Sequence, residues 1–221
     1  MTAVPPPGHE GDATSGPGHL VVVTGTTTEV GKTWLCVQVL GALRSGGTAV
    51  AARKPVQSYS PGCGPTDADQ LAAASGERPS QVCPPHRWYE VAMAPPIAAR
   101  VLGRPGFSLA DLLSELRWPE GVSVGVVETV GGPRSPVAAD ADSAALVRAV
   151  GPDTTVLVAD AGLGAINAVV LAAAALPRPP VVFLNRYSDG EAVHALNAEW
   201  LRGRCGLDVC VEPAEVVRRL G

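Results

Sequence analysis

Residues 20–33 read LVVVTGTTTEVGKT. The apolar run 20–23 has the look of a buried strand, and the stretch 25–33 that follows fits the phosphate-binding pattern G-x-x-x-x-G-K-[ST]. A strand leading directly into this pattern puts its glycines in a strand-to-helix turn, where backbone N–H groups can surround phosphate oxygens. Lys32 would then reach the β and γ phosphates, and the Thr33 hydroxyl would coordinate Mg2+. Thr28, Glu29, Val30, Gly31, Lys32 and Thr33 are therefore expected to hold ATP with its Mg2+. Glu29 is unusual among phosphates: it either reaches a metal or cationic substrate or holds the loop by accepting backbone N–H bonds.

Outward from this loop, short apolar runs recur at 20–24, 49–55, 122–128, 155–159, 181–184 and 209–211. Helical patterns separate them at 33–44, 68–74, 96–102, 109–116, 144–150, 166–176 and 191–204, and 214–220 closes the chain. Continuous Val-rich strands alternating with helices predict one α/β domain of the P-loop NTPase type, 19–221, with a mostly parallel sheet flanked by helices on both faces. Residues 1–18, rich in Pro and Gly and poor in large apolar side chains, read as a flexible tail. The stretch 84–96 is the least regular internal segment and is expected to line the substrate side or a subunit contact.

Ligands of such a sheet bind outside the carboxyl ends of its strands, and the polar residues of interest fall there. Lys54 ends the second strand, where its ammonium could neutralise charge on a transferring γ-phosphoryl group; its plainer reading is a surface lysine before a turn proline. Glu128 ends the third strand, and Asp67 precedes a helix; with Thr33 they form a hard-oxygen set suited to Mg2+. Asp67 could instead cap its helix, with Asp69 as the alternative ligand. Lys54, Lys32 and Thr33 are the expected catalytic groups. Gly131 and Gly132 allow backbone to approach an anion closely. Gly164, Ala165, Ile166 and Asn167 make a loop-to-helix junction able to hold a carboxylate, and Asn185, after the fifth strand, suits a purine edge.

Composition narrows the function classes. With 221 residues, 46% of them hydrophobic, the chain can bury one large core. A net charge of -4 without a Lys/Arg stripe argues against nucleic-acid binding. No apolar stretch is long enough for a bilayer, and the start lacks a secretory pattern, so no membrane partner and a cytoplasmic location are expected. The cysteines, Cys36, Cys63, Cys83, Cys205 and Cys210, have no C-x-x-C spacing and are odd in number, which disfavours a zinc site or a disulfide scaffold.

GTTTEVGKT at 25–33, RKPVQS at 53–58, TDAD at 66–69, VETVGG at 127–132 and GLGAIN at 162–167 together resemble the dethiobiotin synthetases, over residues 20–190. The resemblance implies an ATP-dependent ligase that carboxylates 7,8-diaminopelargonic acid with CO2 and closes the ring. It implies that Lys54 binds the carbamate and γ-phosphate, that Thr33, Asp67 and Glu128 hold Mg2+, and that Glu29 and Ser58 lie near phosphate and substrate. It further implies adenine recognition by Asn185, and a homodimer in which residues 164–167 complete the neighbour's substrate site alongside Gly131 and Gly132.

Two departures stand out. The family's E-G-A-G-G is here Glu128-Thr129-Val130-Gly131-Gly132, which is expected to narrow the substrate side, and Ala168 replaces a histidine that often follows the asparagine. Two other classes share the loop: amide-forming ATP enzymes of cobalamin synthesis, which usually bring a glutaminase, and regulatory partition ATPases. The latter carry an extra loop lysine where this chain has Thr26 and Thr27.

Overall fold

A computed structural model describes residues 16–220. Along the chain run β1 (His19–Gly25), α1 (Lys32–Ser45), β2 (Val50–Arg53), β3 (Gln57–Ser58), α2 (Asp67–Ser75), α3 (Pro79–Val82), a 3-10 turn (Pro85–Arg87), β4 (Trp88–Tyr89), α4 (Pro95–Val101) and α5 (Leu109–Glu115). There follow β5 (Val124–Glu128), β6 (Pro136–Ala138), β7 (Ala141–Asp142), α6 (Ser143–Val150), β8 (Thr154–Asp160), α7 (Ala165–Ala175), β9 (Val181–Asn185), α8 (Ala192–Gly203), β10 (Asp208–Cys210) and α9 (Pro213–Val217). Six strands form one sheet in the order β2-β5-β1-β8-β9-β10, with every neighbouring pair parallel. The chain leaves central β1 for the edge at β2, returns to β5, and then crosses to β8. Winding therefore reverses around β1, which is where an open sheet of this kind leaves a crevice at its carboxyl ends.

Side chains alternate across a strand, and here both faces are covered. Val21, Val23, Val126, Val156, Val158 and Phe183 pack with Leu35, Val39 and Leu40 of α1. Their neighbours Val22, Val127, Leu157 and Leu184 pack with Val169 and Ala172 of α7 and Leu201 of α8. A strand buried on both sides needs apolar residues at every position, which is why these strands read as unbroken Val-rich runs. A third cluster, including Tyr89, Ala98, Phe107, Leu112, Val137 and Leu146, forms beside the cleft and fixes the segments that wall it.

The edge at β2 is closed by charge. The Ala52 N–H donates to Glu77 Oε2 at 2.7 Å, and the Ala52 carbonyl accepts from the Arg53 guanidinium. Arg53 also pairs with Glu77 Oε1 at 2.7 Å and lies over the Trp118 ring, so it points away from the crevice that Lys54 enters.

Two pairings were not visible in the residue pattern. β3 pairs with β4 in parallel, placing Gln57 opposite Trp88 and Ser58 opposite Tyr89, and β6 with β7 makes a small antiparallel hairpin. Strands of two or three residues carry no readable periodicity, so the stretch 84–96 was expected as a plain loop. The tail expected over 1–18 lies, for 1–15, outside the described residues. Gly18 already donates to the Val122 carbonyl at 2.9 Å. Among the described residues no helix is long and apolar enough to cross a membrane.

A candidate phosphate and cation site at the strand ends

The loop after β1 ends at Gly31, which adopts a left-handed φ of 97° and starts α1 with no side-chain cap and no acid in the first turn. The first-turn N–H groups and the positive end of the helix are thus left for an anion. A Cβ on Gly31 would lie 2.0 Å from Asn185 Nδ2, so only glycine fits there. Val30 sends its side chain into the core and anchors the loop by its own burial. Lys32 is buried with its ammonium 3.1 Å from the Thr27 carbonyl. Burial, and next the positive charge of Lys54, hold its pKa below the ordinary lysine value.

Lys54, just past β2, is buried between two acids. Its Nζ lies 2.6 Å from Glu128 Oε1 and 2.7 Å from Asp67 Oδ2. The Thr33 hydroxyl is 2.9 Å from Asp67 Oδ1 and 3.0 Å from Glu128 Oε1, and its one proton serves one acceptor at a time. Burial works against the Lys54 ammonium, but Asp67 and Glu128 outweigh it and hold its pKa above the usual value. The Lys54 charge holds the Asp67 carboxyl below the ordinary carboxylate range, whereas burial pushes Glu128 up despite Lys54.

Asp67 is free for this work because the helix is capped by others. Thr66 is the N-cap of α2, and Asp69 completes a capping box by accepting from the Thr66 N–H and hydroxyl, both at 2.8 Å. The cap reading of Asp67 and the ligand reading of Asp69 are both displaced by this arrangement.

Glu128 Oε2 is the one buried side-chain N or O atom among the described residues that has no hydrogen-bond partner. An orphaned carboxylate oxygen beside a second carboxylate and a hydroxyl fits a hard divalent cation. No group of three or more His, Cys, Asp and Glu side chains able to hold a metal occurs among the described residues. Two carboxylates and a hydroxyl suffice for Mg2+ when phosphate and water complete its shell.

These groups open on a cleft of about 760 Å³. Of the expected residues, Thr28, Glu29, Gly31, Lys32, Thr33, Lys54, Ser58, Asp67, Glu128 and Gly131 line it. Ser58 donates to the Met93 carbonyl at 2.5 Å, which joins β3 to the far wall. That wall is Ala92, Met93, Ala94 and Pro95, so the 84–96 stretch does reach the cleft.

Other expected residues lie elsewhere. Gly132 packs on the phosphate loop, where a Cβ would come 2.7 Å from the Thr26 carbonyl oxygen, and its N–H is taken by Ser135 Oγ. Its close approach is to backbone rather than to an anion. Thr129 turns inward to Thr24 Oγ1 at 3.0 Å, so of the two bulkier residues in that segment only Val130 reaches the cleft. Asn185 is buried, and its Nδ2 donates to the Val30 carbonyl at 2.8 Å. Gly164, Ile166 and Asn167 line a second hollow of about 490 Å³ with Leu163, Val170, Leu171 and Asn197, while Ala165 is buried. None of that segment borders the first cleft.

Residue reading alone passed over Tyr59, Ser60, Cys63, Ser135 and Pro136, which also line the cleft. Ser135 had a weak signal, a turn serine three residues after Gly132. The others are brought in by the β3–β4 pairing and the β6–β7 hairpin.

Residues 19–196 match the AAA domain family. The chain is 33% identical over 200 residues to the ATP-dependent dethiobiotin synthetase BioD of Haloferax mediterranei, which covers 88% of this chain and 84% of that protein. With the BioD of Anaeromyxobacter sp. strain Fw109-5 it shares 34% identity over 205 residues, 90% of this chain and 84% of the relative. Among solved structures it is similar to the signal recognition particle receptor FtsY from Elizabethkingia anophelis, with a TM-score of 0.52 and 14% identity. The match covers 93% of this chain and 66% of the receptor, a likeness of fold alone. By sequence and by the architecture that carries its phosphate loop, the chain belongs to the ATP-using, ligase-type family of P-loop proteins that includes the BioD dethiobiotin synthetases.

Proposed function

We propose that this protein is a dethiobiotin synthetase, joining CO2 to 7,8-diaminopelargonic acid and closing the product to a cyclic urea at the expense of ATP. The observation that supports this reading best is the Lys54 ammonium, within 2.7 Å of both Asp67 and Glu128 and beside the phosphate loop. A regulatory nucleotide switch has no evident use for a buried cation at that point. A reaction that builds negative charge between a phosphate and a small acid does.

In the reaction, one substrate amine attacks CO2, forming a C–N bond and losing a proton to give a carbamate. A carbamate oxygen attacks the γ-phosphorus, the bond to the ADP oxygen breaks, and a carbamic-phosphoric anhydride forms. The second amine then attacks the activated carbonyl, the C–O bond to phosphate breaks, a proton is lost, and the ring closes. Every nucleophile belongs to the substrate, so the chain's task is alignment and charge stabilisation. The α1 N–H groups and Lys32 would orient the phosphates, and Lys54 would face the carbamate. Mg2+ held by Thr33, Asp67 and Glu128 would neutralise charge on the phosphate oxygens. Met93, Pro95, Val130 and Pro136 give the cleft an apolar side suited to an alkyl chain.

Asn185 would read adenine through its side-chain oxygen, since its Nδ2 is already on Val30. The reading includes a homodimer. Leu163 is 98% exposed beside the hollow formed by Gly164, Ile166 and Asn167, and in a dimer this segment would reach the neighbour's cleft.

The test supplies ATP, Mg2+, bicarbonate and the diamine and looks for dethiobiotin by mass. Lys54→Ala should lower product formation at least about a hundredfold. ADP release that ignores the diamine, with no cyclic urea formed, would overturn the proposal in favour of a regulatory ATPase.

A further inference from the structure

Glu29 and Arg186 are the two non-glycine residues with positive φ among the described residues, at 59° and 57°, and they are bonded to each other. Arg186 follows β9 directly. Its guanidinium donates to the Glu29 carbonyl at 2.9 Å and to Asp160 Oδ2 at 2.8 Å. Asp160 is itself fixed, because its Oδ1 accepts the Gly162 N–H at 2.9 Å at the end of β8. Next to Arg186, Asn185 holds the Val30 carbonyl at 2.8 Å. Two consecutive residues, the last of β9 and the one that follows it, thus grip two consecutive carbonyls of the phosphate loop.

The consequence follows from peptide geometry. In a planar trans peptide the carbonyl of one residue and the N–H of the next point in opposite directions. Drawing the Glu29 and Val30 carbonyls toward β9 turns the N–H groups of Val30 and Gly31 the other way, toward the interior of the phosphate loop. A guanidinium suits the task because its rigid fork reaches two acceptors at once, which a single ammonium on a flexible stem does not reproduce.

We infer that Arg186 is a positioning residue of the phosphate loop, setting the direction of its amides through the Glu29 carbonyl from a footing on Asp160. The inference rests on the reading of this loop as a triphosphate site. The Arg186–Asp160 pair is well exposed, with side chains 61% and 51% accessible, so it adds little to overall stability. Its effect should therefore fall on ligand binding rather than on folding.

Calorimetric titration of the full chain with Mg2+ and either ATP or inorganic tripolyphosphate tests this. Arg186→Gln should weaken both ligands by about tenfold, with a thermal midpoint within about 2 °C of the parent. Arg186→Lys should recover only a small part of the loss. Asp160→Asn should lose less than Arg186→Gln, and the double variant no more than Arg186→Gln alone. Unchanged affinity in Arg186→Gln, or full rescue by lysine, would overturn the inference. So would a loss confined to ATP, because that would put Arg186 on the base instead of behind the loop. If the parent chain binds neither ligand, the triphosphate reading fails too, whereas a binding parent with an indifferent variant sinks Arg186 alone.

Discussion

Glu128 keeps one oxygen on Lys54 and Thr33 and the other with no partner, in a buried position at the wall of the cleft. Removing Lys54 would leave that charge without its counter-ion, so Lys54→Ala should cost about 3 to 5 kcal/mol of stability as well as activity. Adding Mg2+ to this variant should raise its melting temperature more than it raises the parent's, since a cation that binds only the folded form stabilises it. Glu128→Gln in the same chain should restore much of the loss. Thermal melts with and without Mg2+ decide the matter. At this scale Lys32, Thr33, Lys54, Asp67 and Glu128 were legible in the sequence, because each sits at a strand end or helix start where a motif gives it a chemical reason. Arg186 was not, because its role depends on the left-handed turn after β9 that brings it back over Glu29.

Elements carry the site as much as single groups do. Thr66 caps α2 and sets the start of the helix that presents Asp67. Thr66→Ala should cost about 1 kcal/mol of stability, and the Mg2+ concentration needed for half-maximal activity should rise with it. The end of α5 is tied to the 3-10 turn by Glu115, which accepts from Arg87 at 2.9 and 2.7 Å. Burial pushes the Glu115 carboxyl up, but the hydrogen bonds from Arg87 and His86 outweigh it and leave it below the ordinary 4.5. A carboxyl lowered in this way adds stability that is fully present above its unfolded value and is lost as pH falls through its folded value. Glu115→Gln should therefore destabilise the protein by up to about 1 kcal/mol at pH 7, and the difference from the parent should shrink at more acid pH. Melts over a pH series read this directly. Among the elements, β1, β5, β8 and β9 were legible because both their faces are buried and every position is apolar. β3, β4, β6 and β7 were hidden because their few residues gain order only from tertiary pairing, and with them went Ser135, Pro136 and the cleft wall.

For the molecule as a whole, the separation between the first cleft and the Gly164–Asn167 hollow makes the proposed dimer testable. If each site takes the phosphate loop from one protomer and Asn167 from the other, Lys54→Ala and Asn167→Asp chains should each be nearly inactive alone. Mixed and reassociated, they should regain about a quarter of parental activity, because half of the dimers are hybrids with one intact site of two. Mixtures that stay inactive would place Asn167 outside the neighbour's site. Leu171→Asp, in the same exposed patch, should shift the sedimentation of the protein toward the protomer mass.

The charged closure of β2 has a consequence for handling this protein. The outward amide of Ala52 is already spoken for by Glu77, and the Ala52 carbonyl by Arg53. An unpaired strand margin is where foreign chains add and fibrils nucleate. With this margin occupied, the β2 side of the sheet offers little to a passing strand. Glu77→Ala would uncover the Ala52 amide, and such preparations should scatter light and bind amyloid dyes on standing while the parent does not.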